Sequence, residues 1–114
     1  MEAREHVEDG LHIVALSGEI DLHRSPELRT LLDAHAKAKR PALLLDFSAV
    51  DYIDSSGLAT LIEYVQKAYK FRGQFALGGV NERLRTIFDL ARLGEVFPIH
   101  ASLTEARAVL VPGK

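Results

Sequence analysis

Asp54, Ser55 and Ser56 stand together in the run Asp51-Tyr52-Ile53-Asp54-Ser55-Ser56-Gly57-Leu58, between a continuous apolar stretch and a helical pattern. Two hydroxyls and a carboxylate at a helix entrance offer two kinds of chemistry. A phosphate placed there would meet free backbone N–H groups and the positive end of the helix dipole. The other role is mechanical: Asp54 or Ser55 caps the helix and Gly57 permits tight packing, which is the commoner use of such residues. A serine hydrolase is a poor fit. The turn lacks G-x-S-x-G, and Asp54 is an unfavourable neighbour for a serine that must attack a carbonyl.

Other groups are weaker candidates. Glu19 and Asp21, two residues apart at the end of a strand, share one face and point to a polar contact surface near the serine loop. His23 follows and either joins that surface or sits in a solvated loop. The five histidines, at 6, 12, 23, 35 and 100, show no metal-site spacing, and cysteine is absent. His12 and His100 read as strand-surface residues. Gly78-Gly79-Val80-Asn81 precedes a helix but lacks the lysine and threonine of a P-loop and the full G-x-G-x-x-G spacing. Lys37, Lys39 and Arg40 suit a helix C-terminus rather than a nucleic-acid patch.

The elements that would position these residues follow from pattern. Asp9-Gly10 between two strand-like runs, 3–8 and 11–17, marks a hairpin. Ser25-Pro26-Glu27 opens a helix, with Ser25 as cap and Leu28, Leu31, Leu32 and His35 on one face. Ala42 to Phe47 reads as a central strand covered on both faces, followed by a loop from Ser48 to Asp54. Leu58, Leu61, Ile62, Val65 and Tyr69 form the core stripe of a second helix, which leaves Tyr64 exposed and Gly73 as the stop. Gln74 to Leu77 is a strand. Asn81 caps a third helix carrying Leu84, Ile87 and Phe88 inward, with Gly94 as its stop. Val96-Phe97-Pro98-Ile99 reads as an edge strand, and Ser102-Leu103-Thr104-Glu105 as a capping box for a last helix. The order β-β-α-β-α-β-α-β-α predicts an α/β fold: one mixed, largely parallel sheet of about five strands covered by about four helices.

Composition is consistent with that. The 114 residues fit a single domain spanning 1–114, with 47% hydrophobic and 26% charged residues. A formal net charge of −2 gives no basic field for nucleic acid. The charged start Met1-Glu2-Ala3-Arg4-Glu5-His6 does not read as a signal peptide, and apolar runs fall short of a membrane span. The expected location is the cytoplasm.

Ile53-Asp54-Ser55-Ser56-Gly57-Leu58 resembles the D-S-S-G-L signature of STAS domains, specifically bacterial anti-sigma factor antagonists. Gly18-Glu19-Ile20-Asp21 is similar to the G-E-[LI]-D stretch that ends the family's second strand. Leu45-Asp46-Phe47-Ser48-Ala49-Val50 is similar to the run before the signature. Ile87 to Leu93 resembles the late helix, and Val96 to Ile99 the closing strand. The likeness spans about residues 4 to 110. Ala91-Arg92 departs from it, standing where many relatives carry a small polar residue and glycine.

The resemblance implies a protein-binding switch, not an enzyme, and no cofactor. Ser55 would be the residue phosphorylated by a GHKL-type anti-sigma factor serine kinase using ATP, with Ser56 the second candidate. The unphosphorylated form would sequester that kinase, and a serine phosphatase would restore it. The partner face would comprise the loop Glu19-Ile20-Asp21-Leu22-His23, the loop Asp54-Ser55-Ser56-Gly57, and Thr60 and Tyr64 on the exposed side of the second helix. The chain is expected to be a monomer. Two rival readings share the fold: a scaffold subunit of a stressosome-like or phospholipid-transport complex, and a weak nucleotide-binding protein.

Overall fold

Asp9 and Gly10 both take positive φ, 51° and 82°, and close the predicted hairpin between β1 (Glu2–Glu8) and β2 (Leu11–Ile20). This computed structural model describes residues 1–110. The chain continues through α1 (Ser25–Lys37), β3 (Ala42–Ile53), α2 (Ser55–Lys70), β4 (Gln74–Gly78), α3 (Glu82–Leu90), a 3-10 turn at Leu93–Glu95 and α4 (Leu103–Val109). The sheet order is β1-β2-β3-β4, antiparallel only between β1 and β2. No helix among the described residues is long and apolar enough to cross a membrane.

Alternation along β3 builds two cores. Leu43, Leu45 and Phe47 face α1, α2 and α3, where they pack with Leu28, Leu32, Leu61, Leu84 and Phe88. Ala42 and Leu44 face the other side, with Leu11, Ile13, Ala76 and the α4 residues Ala106 and Leu110. His35, on the core face of α1 as predicted, reaches the edge strand: its Nε2 lies 2.5 Å from Glu5 Oε1. Ser102 accepts the Glu105 N–H at 3.1 Å and starts α4 as the capping-box pattern required.

Four predictions of local structure need correction. First, the sheet has four strands among the described residues; of the predicted fifth, Ile99 alone forms an isolated parallel bridge, to Leu77. Leu77 N–H donates to the Pro98 carbonyl and His100 N–H to the Leu77 carbonyl. The next ladder bond would have to come from residue 98, and proline has no N–H to give. His100 therefore lies beyond a bridge rather than on a strand. Second, Ser48 to Ile53 is not a loop but the second half of β3. Register shifts against β2, between Ala15 and Ser17 and between Gly18 and Glu19, absorb extra β3 residues as bulges and hide the strand's period. Third, Ser25 does not cap α1. It is buried in the first turn, the N-cap position falls to Arg24 with no side-chain cap, and Asp21 Oδ1 accepts the N–H groups of His23 and Arg24 in the turn before the helix, each at 3.0 Å. Fourth, α3 stops at Leu90, before Gly94, because Arg92 turns left-handed at φ 55°.

Candidate functional site

The serine loop is built where two strands end together. Ile20 pairs with Ile53, and Asp54 N–H donates to the Ile20 carbonyl at 3.1 Å, so the end of β3 is fastened to the end of β2 before α2 begins. That position beyond the carboxyl ends of parallel strands is where α/β proteins usually meet other molecules.

Asp54 is the N-cap of α2. Its Oδ1 accepts the Ser56 N–H at 2.9 Å, the Gly57 N–H at 3.2 Å and the Ser56 hydroxyl at 2.5 Å. These hold its pKa below the ordinary aspartate value, the Ser56 hydroxyl contributing most and outweighing partial burial; the Gly57, Ser56 and Leu22 N–H groups add to it. The two serines are thereby separated in character. Ser56 is half-buried with its hydroxyl engaged. Ser55 is exposed, and its hydroxyl has no hydrogen-bond partner among the described residues. The expected free N–H groups for a phosphate are partly gone, since Asp54 already holds those of Ser56 and Gly57.

Gly57 is buried. A Cβ there would lie 2.6 Å from Ile53 Cγ1 and 2.9 Å from Ile20 Cγ2, so glycine lets α2 start tight against the strand ends. Of the remaining predicted partner residues, Glu19 and His23 are exposed and Asp21 is half-buried, its carboxylate holding the turn before α1. Thr60 and Tyr64 are not on the surface: they are 1% and 2% exposed. The Thr60 hydroxyl donates back to the Ser56 carbonyl at 2.9 Å, and the Tyr64 ring packs on Phe75 with 5.2 Å between centroids. Burial pushes the Tyr64 phenol up to about 12, with the Arg40 charge opposing it. Tyr69, predicted for the core, is 84% exposed. The buried face of α2 runs through Gly57, Thr60, Leu61, Tyr64 and Ala68, one helical step away from the leucine-based stripe.

Two apolar side chains near the loop are exposed: Leu22, within the 19–23 loop expected to join the partner face, and Tyr52, which that expectation did not include. Leu22 is 70% exposed, and its N–H is among the groups that hold the Asp54 carboxylate. Tyr52, also exposed, pairs across the strands with Glu19. Gly78-Gly79 has packing reasons of its own. A Cβ on Gly78 would press on Ala106 and Leu103, and Gly79 sits at φ 72° against Ser48.

A family model described as "STAS domain" matches residues 2–106. The chain belongs to the STAS domain family. This STAS domain is 32% identical over 88 residues to the anti-sigma-B factor antagonist of Bacillus subtilis (strain 168), covering 77% of this chain and 80% of the relative. It is 33% identical over 86 residues to the intermembrane phospholipid transport system binding protein MlaB of Escherichia coli (strain K12), covering 75% of this chain and 86% of that one. Among solved structures, an anti-sigma factor antagonist from Mycobacterium paratuberculosis superposes with a TM-score of 0.88 at 30% identity, over 96% of this chain and 92% of its own.

Proposed function

We propose that this STAS domain is a cytoplasmic anti-sigma factor antagonist whose docking is switched by phosphorylation of Ser55. The observation that carries the reading is the inequality of the two serines: one hydroxyl exposed and unpartnered, the other bound to Asp54 at 2.5 Å. The unphosphorylated loop, with Glu19, Asp21, His23 and the exposed Leu22, forms the docking face for an anti-sigma factor that is itself a GHKL-type serine kinase. The kinase transfers the γ-phosphoryl group of ATP to the Ser55 oxygen, and a serine phosphatase hydrolyses the ester.

The physics of the switch follows from Asp54. A phosphoserine carries about −1.5 to −2 charges at neutral pH. The dipole of the 16-residue α2 tolerates it at the first turn, so the fold survives. With the Ser56 and Gly57 N–H groups already held, the loop has fewer donors left to neutralise the new charge, which stays in solvent beside the Asp54 carboxylate. A docked partner would have to desolvate two adjacent anionic groups, and the complex weakens. The test is incubation of wild type, Ser55→Ala and Ser56→Ala with kinase and ATP, read by mass spectrometry. Ser55→Ala should bind the kinase and take no phosphate, while Ser56→Ala remains a substrate. Full modification of Ser55→Ala would overturn the assignment.

A second reading is favoured by the likeness to MlaB, whose identity to this chain matches that of the antagonist. On that reading the same face would hold a transporter subunit permanently. Recovery of a transport ATPase in place of a serine kinase on affinity purification from the native host would decide for it.

A further inference from the structure

At the far end of α2, about 18 to 24 Å along the helix from Ser55, a groove of about 450 Å³ opens between α1 and α2. Ala36 and Phe71 contribute its apolar part, and Lys37, Lys39, Lys67 and Lys70 surround them. Asp33 also lines it, but that carboxylate is taken: Lys67 Nζ lies 2.6 Å from Asp33 Oδ1 and 3.2 Å from Glu63 Oε1. Lys37, Lys39 and Lys70 have no ion-pair partner among the described residues. The dipoles of α1 and α2 account for cations in their last turns. They do not account for an apolar floor left open between those cations.

Shape and charge narrow the occupant. The groove is open along its length, whereas a small ligand needs enclosure of most of its surface. Three unpaired lysines on a chain of net charge −2 fall below the four to eight cations that hold a protein on an anionic leaflet. A cleft between two helices with an apolar floor and a cationic rim complements a third helix of opposite polarity. We propose that this groove docks an acidic amphipathic helix of a protein partner. One apolar side chain of that helix covers Ala36 and Phe71, and its flanking carboxylates meet Lys37, Lys39 and Lys70. The site lies at the opposite end of α2 from the serine loop and does not depend on it.

The experiment uses the full chain and a fluorescently labelled peptide of leucine and glutamate at three- and four-residue spacing, read by anisotropy and by amide chemical-shift mapping. Binding should weaken as salt rises. It should fall about tenfold in the triple variant Lys37→Gln, Lys39→Gln, Lys70→Gln, as the product of three rim contacts each contributing about twofold. The shifts should centre on Ala36 and Phe71, and Ser55→Ala should leave them unchanged. The proposal is overturned by equal affinity in the triple variant, or by shifts centred elsewhere. It is also overturned if a peptide with lysine in place of glutamate binds as well, or if phosphatidylserine vesicles bind the chain and the acidic peptide does not.

Discussion

The Ser56 hydroxyl donates to Asp54 Oδ1 at 2.5 Å, so neighbouring serines of one loop have different work. Ser56 completes the cap that starts α2, and the exposed Ser55 hydroxyl takes no part in it. Replacing Ser56 by alanine removes a hydrogen bond to a charged acceptor and should lower stability by about 1–2 kcal/mol. Ser55→Ala removes nothing of that kind and should fall within about 0.5 kcal/mol of wild type. Urea denaturation of both variants reads the difference; equal losses would show that the two hydroxyls are equivalent.

Because the folded state depresses the pKa of Asp54, the cap carries a pH signature. A depressed carboxylate gives stability that is complete above its unfolded value, about 4, and that is lost as pH falls through the folded value. The stability gap between wild type and Asp54→Asn should therefore be widest at neutral pH. It should narrow in acid, below the ordinary aspartate range. A gap that stays constant from pH 7 to strong acid would mean the carboxylate charge contributes nothing to the cap.

At Gly57 two effects oppose one another. Alanine is the better helix former, by about 1 kcal/mol. Its Cβ, however, would sit 2.6 Å from Ile53 Cγ1 and 2.9 Å from Ile20 Cγ2, both branches of buried side chains at the strand ends. Overpacking of this kind costs about 1–3 kcal/mol, so Gly57→Ala should be net destabilising. It should also loosen the serine loop, seen as faster amide exchange at Asp54 and Ser55. A more stable variant with unchanged exchange would show that the glycine is not there for packing.

How much of this was legible in the sequence depends on how local each signal is. Asp9-Gly10, Asn81 and Ser102 act within a turn or two, and each stands where its chemistry placed it. Signals set by distant partners were harder. The leucines of α2 outline a stripe, yet Gly57, Thr60 and Tyr64 are buried beside Leu61 while Tyr69 is exposed; at the helix start only a glycine fits against Ile20 and Ile53. The second half of β3 reads as a loop because its bulges break the alternation. Arg92 is the reverse case. The family resemblance flagged a missing glycine, and the arginine indeed sits left-handed at φ 55°, a conformation that costs an L-residue about 1–2 kcal/mol.

Tyr64 supplies the sharpest test of where the partner face ends. Its hydroxyl is buried and has no hydrogen-bond partner among the described residues, while its ring is held by Phe75. An unsatisfied buried hydroxyl is unfavourable by about 1–3 kcal/mol, and phenylalanine keeps the ring while removing the burden. Tyr64→Phe should raise the urea midpoint by the equivalent of about 1 kcal/mol with no change in slope. Because the side chain is 2% exposed, the same variant should bind the partner with unaltered affinity. A loss of binding in a variant of undiminished stability would mean that the phenol reaches the docking surface, and that α2 rolls on its axis when the partner arrives.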